Sequence, residues 1–140
     1  MLTTVIDSNI WISGILWNGL PKIILKKLEN KQFRNYICKE IIEEIDNVIK
    51  RDKFRKRIDL LNLSYDEIIS QIIELSDIIE IKNNLQVILD DIEDNKILET
   101  AIISKSNYII TGDDHLLNLS YYDGIKIVKC DYFYEKFIIN

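Results

Sequence analysis

The chain has 140 residues, 47% of them hydrophobic, with 18 Lys and Arg against 23 Asp and Glu and a net charge of −5. That length suits one domain with a substantial core. The charge argues against a protein that coats nucleic acid through a basic surface. It leaves room for an enzyme whose carboxylates hold a cation.

In chain order, "LTTVI" (2–6) reads as a short buried strand that stops at the polar run Asp7-Ser8-Asn9. "WNGLPK" (17–22) is a turn, and Pro21 suits the first turn of a helix reaching about Lys31. A strand is predicted over 33–38 and an amphipathic helix over 39–51. Ser64 and Glu67 have capping-box spacing, so a helix follows to about Leu75. A strand at 78–81, a helix over 90–105, a strand at 107–111, a short helix over 113–119, a strand at 125–129 and a helix over 132–139 complete the chain, with "SYYDG" (120–124) as a turn. One Pro, four Gly and no repeat or linker imply a single domain over 1–140. Alternating strands and helices imply an α/β fold, a mostly parallel sheet covered on both faces. Cys38 and Cys130 form no C-x-x-C pair and read as reduced core thiols. With no signal-peptide pattern and no membrane-length apolar run, the expectation is a cytoplasmic protein.

Sites in such sheets form beyond the carboxyl ends of the strands, where Asp7 and Asp113 stand. In the 39–51 helix, Ile41, Ile45, Val48 and Ile49 mark the buried stripe. Glu44 flanks it, three after Ile41 and four before Val48, while Glu40 and Glu43 point to the polar side. In the 90–105 helix, Asp94 lies near the centre of the face defined by Ile97, Leu98, Ala101 and Ile102. Glu93 and Glu99 fall on its margins or outside, and Asp91 is a cap or supporting acid. Four carboxylates are thus directed inward or to strand ends: Asp7, Glu44, Asp94 and Asp113. Grouping them is costly without a cation or proton, and oxygen ligands suit Mg²⁺ or Mn²⁺. Singly, each has a plainer role. Asp7 suits the cap of a helix starting near Asn9, Asp113 a cap, Asp94 a helix-dipole partner and Glu44 a solvated acid. Asn9 is expected to orient Asp7.

Taken together, "VIDSNIWISG", "EIIEEIDNVIKRDKF", "DDIEDNKILETA" and "YIITGDDHLL" resemble, in order and separation, the four motifs of the PIN-domain family of metal-dependent ribonucleases. Asp7, Glu44, Asp94 and Asp113 fall on the family's acidic positions, and Thr111 on a supporting one. Ser8 replaces the usual Thr, keeping a hydroxyl, and His115 stands where an Asp is common. The resemblance implies a three-layer α/β/α sandwich, an acidic pocket for Mg²⁺ or Mn²⁺ and hydrolysis of RNA. It also implies the toxin of a toxin–antitoxin pair, a homodimer neutralised by a small antitoxin protein. His115 reads as a surface or cap residue that could instead bond phosphate or water.

"KRDKFRKR" (50–57) is the main basic stretch. Lys50, Arg51, Lys53 and Arg55 are candidate phosphate contacts, against a solvated helix end and loop as the plainer alternative. Trp11, Trp17 and Phe54 could stack on bases or sit in core or dimer contacts. Two other classes stay open: a catalytically inactive PIN-like module that binds protein or RNA, and another Mg²⁺-dependent phosphoryl enzyme. The missing Asp-x-Asp after the first strand counts against the latter, and no Gly-rich phosphate loop is present.

Overall fold

In the computed structural model, which describes residues 1–88 and 94–138, β1 (Thr3–Ile6) is buried over Thr4, Val5 and Ile6. Burial on successive residues means both faces of the strand are covered, as a central parallel strand requires. The remaining strands are β2 (Arg34–Cys38), β3 (Asp77–Ile79), β4 (Tyr108–Ile110), β5 (Tyr121–Tyr122) and β6 (Ile125–Val128). They form one sheet in the order β3-β2-β1-β4-β6-β5, parallel except for β5. The helices are α1 (Ser8–Leu16), α2 (Leu20–Glu29), α3 (Lys39–Ile49), α4 (Asp52–Leu60), α5 (Tyr65–Glu74), α6 (Asp94–Ser104), α7 (Asp114–Leu119) and α8 (Cys130–Phe133), the last running into a π-helical turn (Tyr134–Ile138). The architecture is a three-layer α/β/α sandwich.

Local chemistry accounts for several boundaries. The Ser64–Glu67 capping box is present in full, with reciprocal bonds of 3.0 and 3.1 Å. Pro21 occupies the first turn of α2. α1 and α2 approach so closely that a Cβ at Gly14 would lie 2.5 Å from Leu25 Cδ1. The backbone pairing of β1 with β2 runs only to Thr4 and Asn35. The buried Asn35 side chain then takes over, its Oδ1 accepting from Thr4 Oγ1 and from the Ile6 amide, each at 3.0 Å. On the other side, the Asp7 amide donates to Ile110 O at 3.0 Å. The end of β1 is therefore held from both neighbouring strands.

Four elements differ from the sequence expectations. α1 begins directly at Ser8, and seven of its nine residues are buried, so it shows no one-sided stripe. α4 forms where a solvated end and loop were the plainer alternative, anchored by Ile58 as its one buried residue. The segment 120–124 is not merely a turn: Tyr121 and Tyr122 pair with β6. Asp123 and Gly124 both have positive φ, as the tight two-residue hairpin turn demands. The final helix closes on a π turn described to Ile138. Residues 90–93 of the predicted 90–105 helix, with Asp91 and Glu93, lie outside the described residues, as does the end of the last one. Both cysteines are free, and burial pushes the Cys130 thiol up to about 11.

Candidate functional site

The carboxyl ends of the two central strands β1 and β4 lie side by side, with Ile6 in register with Ile110. Each chain next turns into a helix, and each turn delivers an aspartate. Asp7 caps α1, its Oδ1 accepting from the Ser8 amide at 2.7 Å. Asp113 caps α7, its Oδ1 accepting from the His115 amide at 2.8 Å. Capping and site placement are thus one geometry rather than alternatives.

Thr111 joins the two. Its buried hydroxyl donates to Asp7 Oδ2 at 2.6 Å and accepts from the Asp113 amide at 3.0 Å. Asp7 is almost fully enclosed. Burial raises its pKa above the ordinary 3.8, and the charges of Glu44 and Asp113 push the same way. The bonds from Thr111 and Ser8 oppose them.

Asp94, on α6, is buried at 7% exposure. His115 Nδ1 lies 4.0 Å from Asp94 Oδ2 and 3.8 Å from Asp113 Oδ1. One ligand atom from each of Asp94, Asp113 and His115 falls within 4.8 Å of the others. His115 is therefore part of the cluster, not simply a surface residue, because the α7 turn capped by Asp113 aims its ring back at Asp94. This donor set, two carboxylates and an imidazole, fits a divalent cation with waters in the remaining positions.

Glu44 approaches from α3. One of its oxygens accepts the hydroxyl of Ser8, the residue after Asp7. The other lies 3.1 Å from Lys96 Nζ on α6. Beyond it α3 and α6 border a cleft of about 640 Å³ whose walls include Glu40, Glu43, Arg51 and Glu99.

Several expectations need correction. Asn9 is exposed and, among the described residues, makes no hydrogen bond to Asp7; lying one residue into α1, it points outward, and Thr111 holds Asp7 instead. Glu99 is not marginal but 5% exposed. It accepts from the amides of Lys82, Asn83 and Leu85 at 2.6, 3.1 and 3.3 Å. Asn95, one turn earlier on α6, accepts from the amides of Val87 and Ile88 at 3.0 and 2.8 Å and donates to Ile88 O at 2.8 Å. α6 thereby pins the irregular chain that follows β3, a segment without periodicity to announce it. Glu40 likewise takes the Asn83 amide group, which lowers its pKa.

Of the four basic candidates Lys50, Arg51, Lys53 and Arg55, Arg51 lines the cleft beside Glu44, as does Lys96 from α6. Lys50 pairs with Asp46, Arg55 with Asp52, and Lys53 lies over the Phe54 ring. Phe54 meets Trp17 at 6.0 Å, and Arg57 donates to Leu16 O at 2.6 Å. That group sits at the far end of α1 from Asp7, nine residues and so about 13 Å away. Trp11 is fully buried and cannot stack on a base. Lys96 was missed altogether; its position two residues after Asp94 was the only signal.

The family model of the PIN domain matches residues 3–115, a span that holds all four acids and ends at His115. The chain belongs to the PIN-domain family. PIN domains are generally nucleases that use divalent metals, so this PIN domain carries a nuclease fold with an acidic cluster suited to such an ion. No protein of curated function matches the chain significantly. No described helix is long and apolar enough to cross a membrane.

Proposed function

We propose that this PIN domain is a Mg²⁺- or Mn²⁺-dependent endoribonuclease that hydrolyses RNA phosphodiester bonds. The observation that carries this reading is the convergence of Asp94, Asp113 and His115 within 4.8 Å beside an Asp7 kept enclosed by Thr111. Family membership supports RNA as the substrate class.

Asp94, Asp113 and His115 would hold the ion, with Asp7 adjoining them through Thr111. The chemistry a bound ion supplies there is charge stabilisation of the phosphodiester and activation of water for attack. The chain's own part is positional. Asp7 and Asp113 stand at the ends of rigid parallel strands, and Thr111 fixes the spacing between them. Ser8 links Asp7 to Glu44, which borders the cleft. Arg51, which lines that cleft together with the Glu44-paired Lys96, is a basic side chain placed to meet an RNA phosphate. Membership of the family also supports the finer reading that this is the toxin of a toxin–antitoxin pair. In that reading it acts in the cytoplasm as a homodimer, with a small protein antitoxin.

The test is cleavage of single-stranded RNA with and without Mn²⁺, using wild type, Asp94→Asn and Asp113→Asn. Metal-dependent cleavage lost in both variants is the expected result. Cleavage that persists in both, or in a chelator, would overturn the mechanism and favour a binding module.

A further inference from the structure

We propose that Trp17, Phe54 and the cations Lys53, Lys56 and Arg57 form a binding platform for single-stranded RNA, outside the acidic cluster. This rests on RNA being the substrate, as proposed above, and not on a bound metal.

The patch lies where the end of α1 meets α4. Trp17, the residue after α1, is 39% exposed, whereas Trp11 on that helix is fully buried. Phe54 meets the Trp17 ring edge-on, with ring centres 6.0 Å apart. The Arg57 guanidinium lies 5.9 Å from the Trp17 ring centre, and its Nε donates to Leu16 O at 2.6 Å. Lys53 Nζ lies 4.9 Å from the Phe54 ring centre. The Trp17 ring is thus held by two neighbours while much of it meets water. An exposed ring already held in place lets an unpaired base stack with little further ordering of the side chain.

Charge selects the partner. The chain carries −5 overall, yet residues 50–59 hold six cations and two acids. Lys50 pairs with Asp46, and Arg55 with Asp52 at 3.7 Å. Lys53, Lys56 and Arg57 have no carboxylate partner among the described residues, and the exposed Asp59 reaches none of them. At positions i, i+3 and i+4 they share one face of α4, where like charges repel. α4 buries only Ile58, so the stability of the helix does not account for this row. Phosphates laid along it relieve the repulsion, and the bases they carry reach the aromatic pair. An apolar protein partner would use the rings and leave the cations unmatched. The patch also continues toward the site, because Arg51, immediately before α4, lines the cleft beside Glu44. One RNA strand is thereby offered cleft and platform together.

The experiment is fluorescence anisotropy of a short, labelled single-stranded RNA with the full chain in chelator, where metal-dependent cleavage does not intervene. Wild type is expected to bind it, with quenching of the exposed Trp17. Trp17→Ala is expected to lose affinity about tenfold, and Trp17→Phe to keep most of it. Lys53→Gln combined with Lys56→Gln changes two exposed side chains and leaves the core intact. That double variant should flatten the slope of log affinity against log salt by about 1.4. Duplex RNA should bind more weakly, since its bases are not free to stack. Undiminished affinity in folded Trp17→Ala, or an unchanged salt slope in the lysine pair, would overturn the inference. If Trp17→Ala does not fold, the lysine pair and the Trp17 quenching decide. Unchanged RNA affinity with an altered sedimentation rate in Trp17→Ala would make the patch a contact between copies of the chain, and would also overturn it. Wild type that binds RNA in this way but does not cleave it with Mn²⁺ supports this inference and overturns the metal-dependent reading. Cleavage by wild type without RNA binding through Trp17 overturns this inference alone.

Discussion

Thr111 Oγ1 donates to Asp7 Oδ2 at 2.6 Å across adjacent parallel strands, joining residues 104 positions apart. The same oxygen accepts from the Asp113 amide, so one hydroxyl sets the relation between two of the four acids. Thr111→Val keeps the shape and removes both bonds. We expect a loss of about 1.5–3 kcal/mol in urea unfolding, the range for a hydrogen bond to a charged group. RNA cleavage should fall with it. Thr111→Ser, which retains the hydroxyl, should preserve most of both.

Asp7 has a stability consequence of the opposite sign. Its folded-state pKa is raised, chiefly by burial. As pH rises, the unfolded chain therefore releases this proton first. The resulting penalty is absent below the ordinary value of 3.8 and fully present above the folded-state pKa. Metal-free Asp7→Asn should accordingly melt at a higher temperature than wild type at neutral pH, with the difference vanishing in acid. Calorimetry from about pH 3 to pH 8 checks this; a less stable variant at neutral pH would contradict it.

His115 brings a nitrogen donor to a site otherwise made of oxygens, 3.8 Å from Asp113 and 4.0 Å from Asp94. Imidazole favours transition metals over Mg²⁺, which prefers oxygen ligands. His115→Asp should therefore lower the preference for Mn²⁺ over Mg²⁺, by about tenfold or ~1.4 kcal/mol. Paired calorimetric titrations read the ratio, and an unchanged ratio would place His115 outside the coordination.

Glu99 is a fourth target. One carboxylate satisfies three amides of the segment after β3. Glu99→Gln keeps one acceptor and loses the charge, so we expect a loss of about 1–3 kcal/mol. Amide exchange should accelerate at Lys82, Asn83 and Leu85 ahead of the core strands.

Much of this arrangement was legible in the residues. Of the predicted α3 stripe, Ile41, Ile45 and Ile49 are buried, while Val48 is half-buried at the edge of the cleft. The Ser64–Glu67 box caps α5, and Asp94 lies inward on α6. These features are local: a helical period or a cap is complete within one or two turns. α1 was less legible because it is buried on nearly every side, and α4 because Ile58 alone anchors it. Glu99 looked marginal because the chain it serves has no periodicity of its own.

The sequence by itself determined which acids stand at strand ends and inward helix faces, since backbone geometry carries that information over a few residues. Only the tertiary structure decided their partners. Thr111 reaches Asp7 over 104 positions, and Lys96 reaches Glu44 over 52. Asn9, adjacent in sequence, makes no bond to Asp7. The physical reason is that a side chain's bonding and electrostatic partners depend on distance in space, which sheet order and helix packing set.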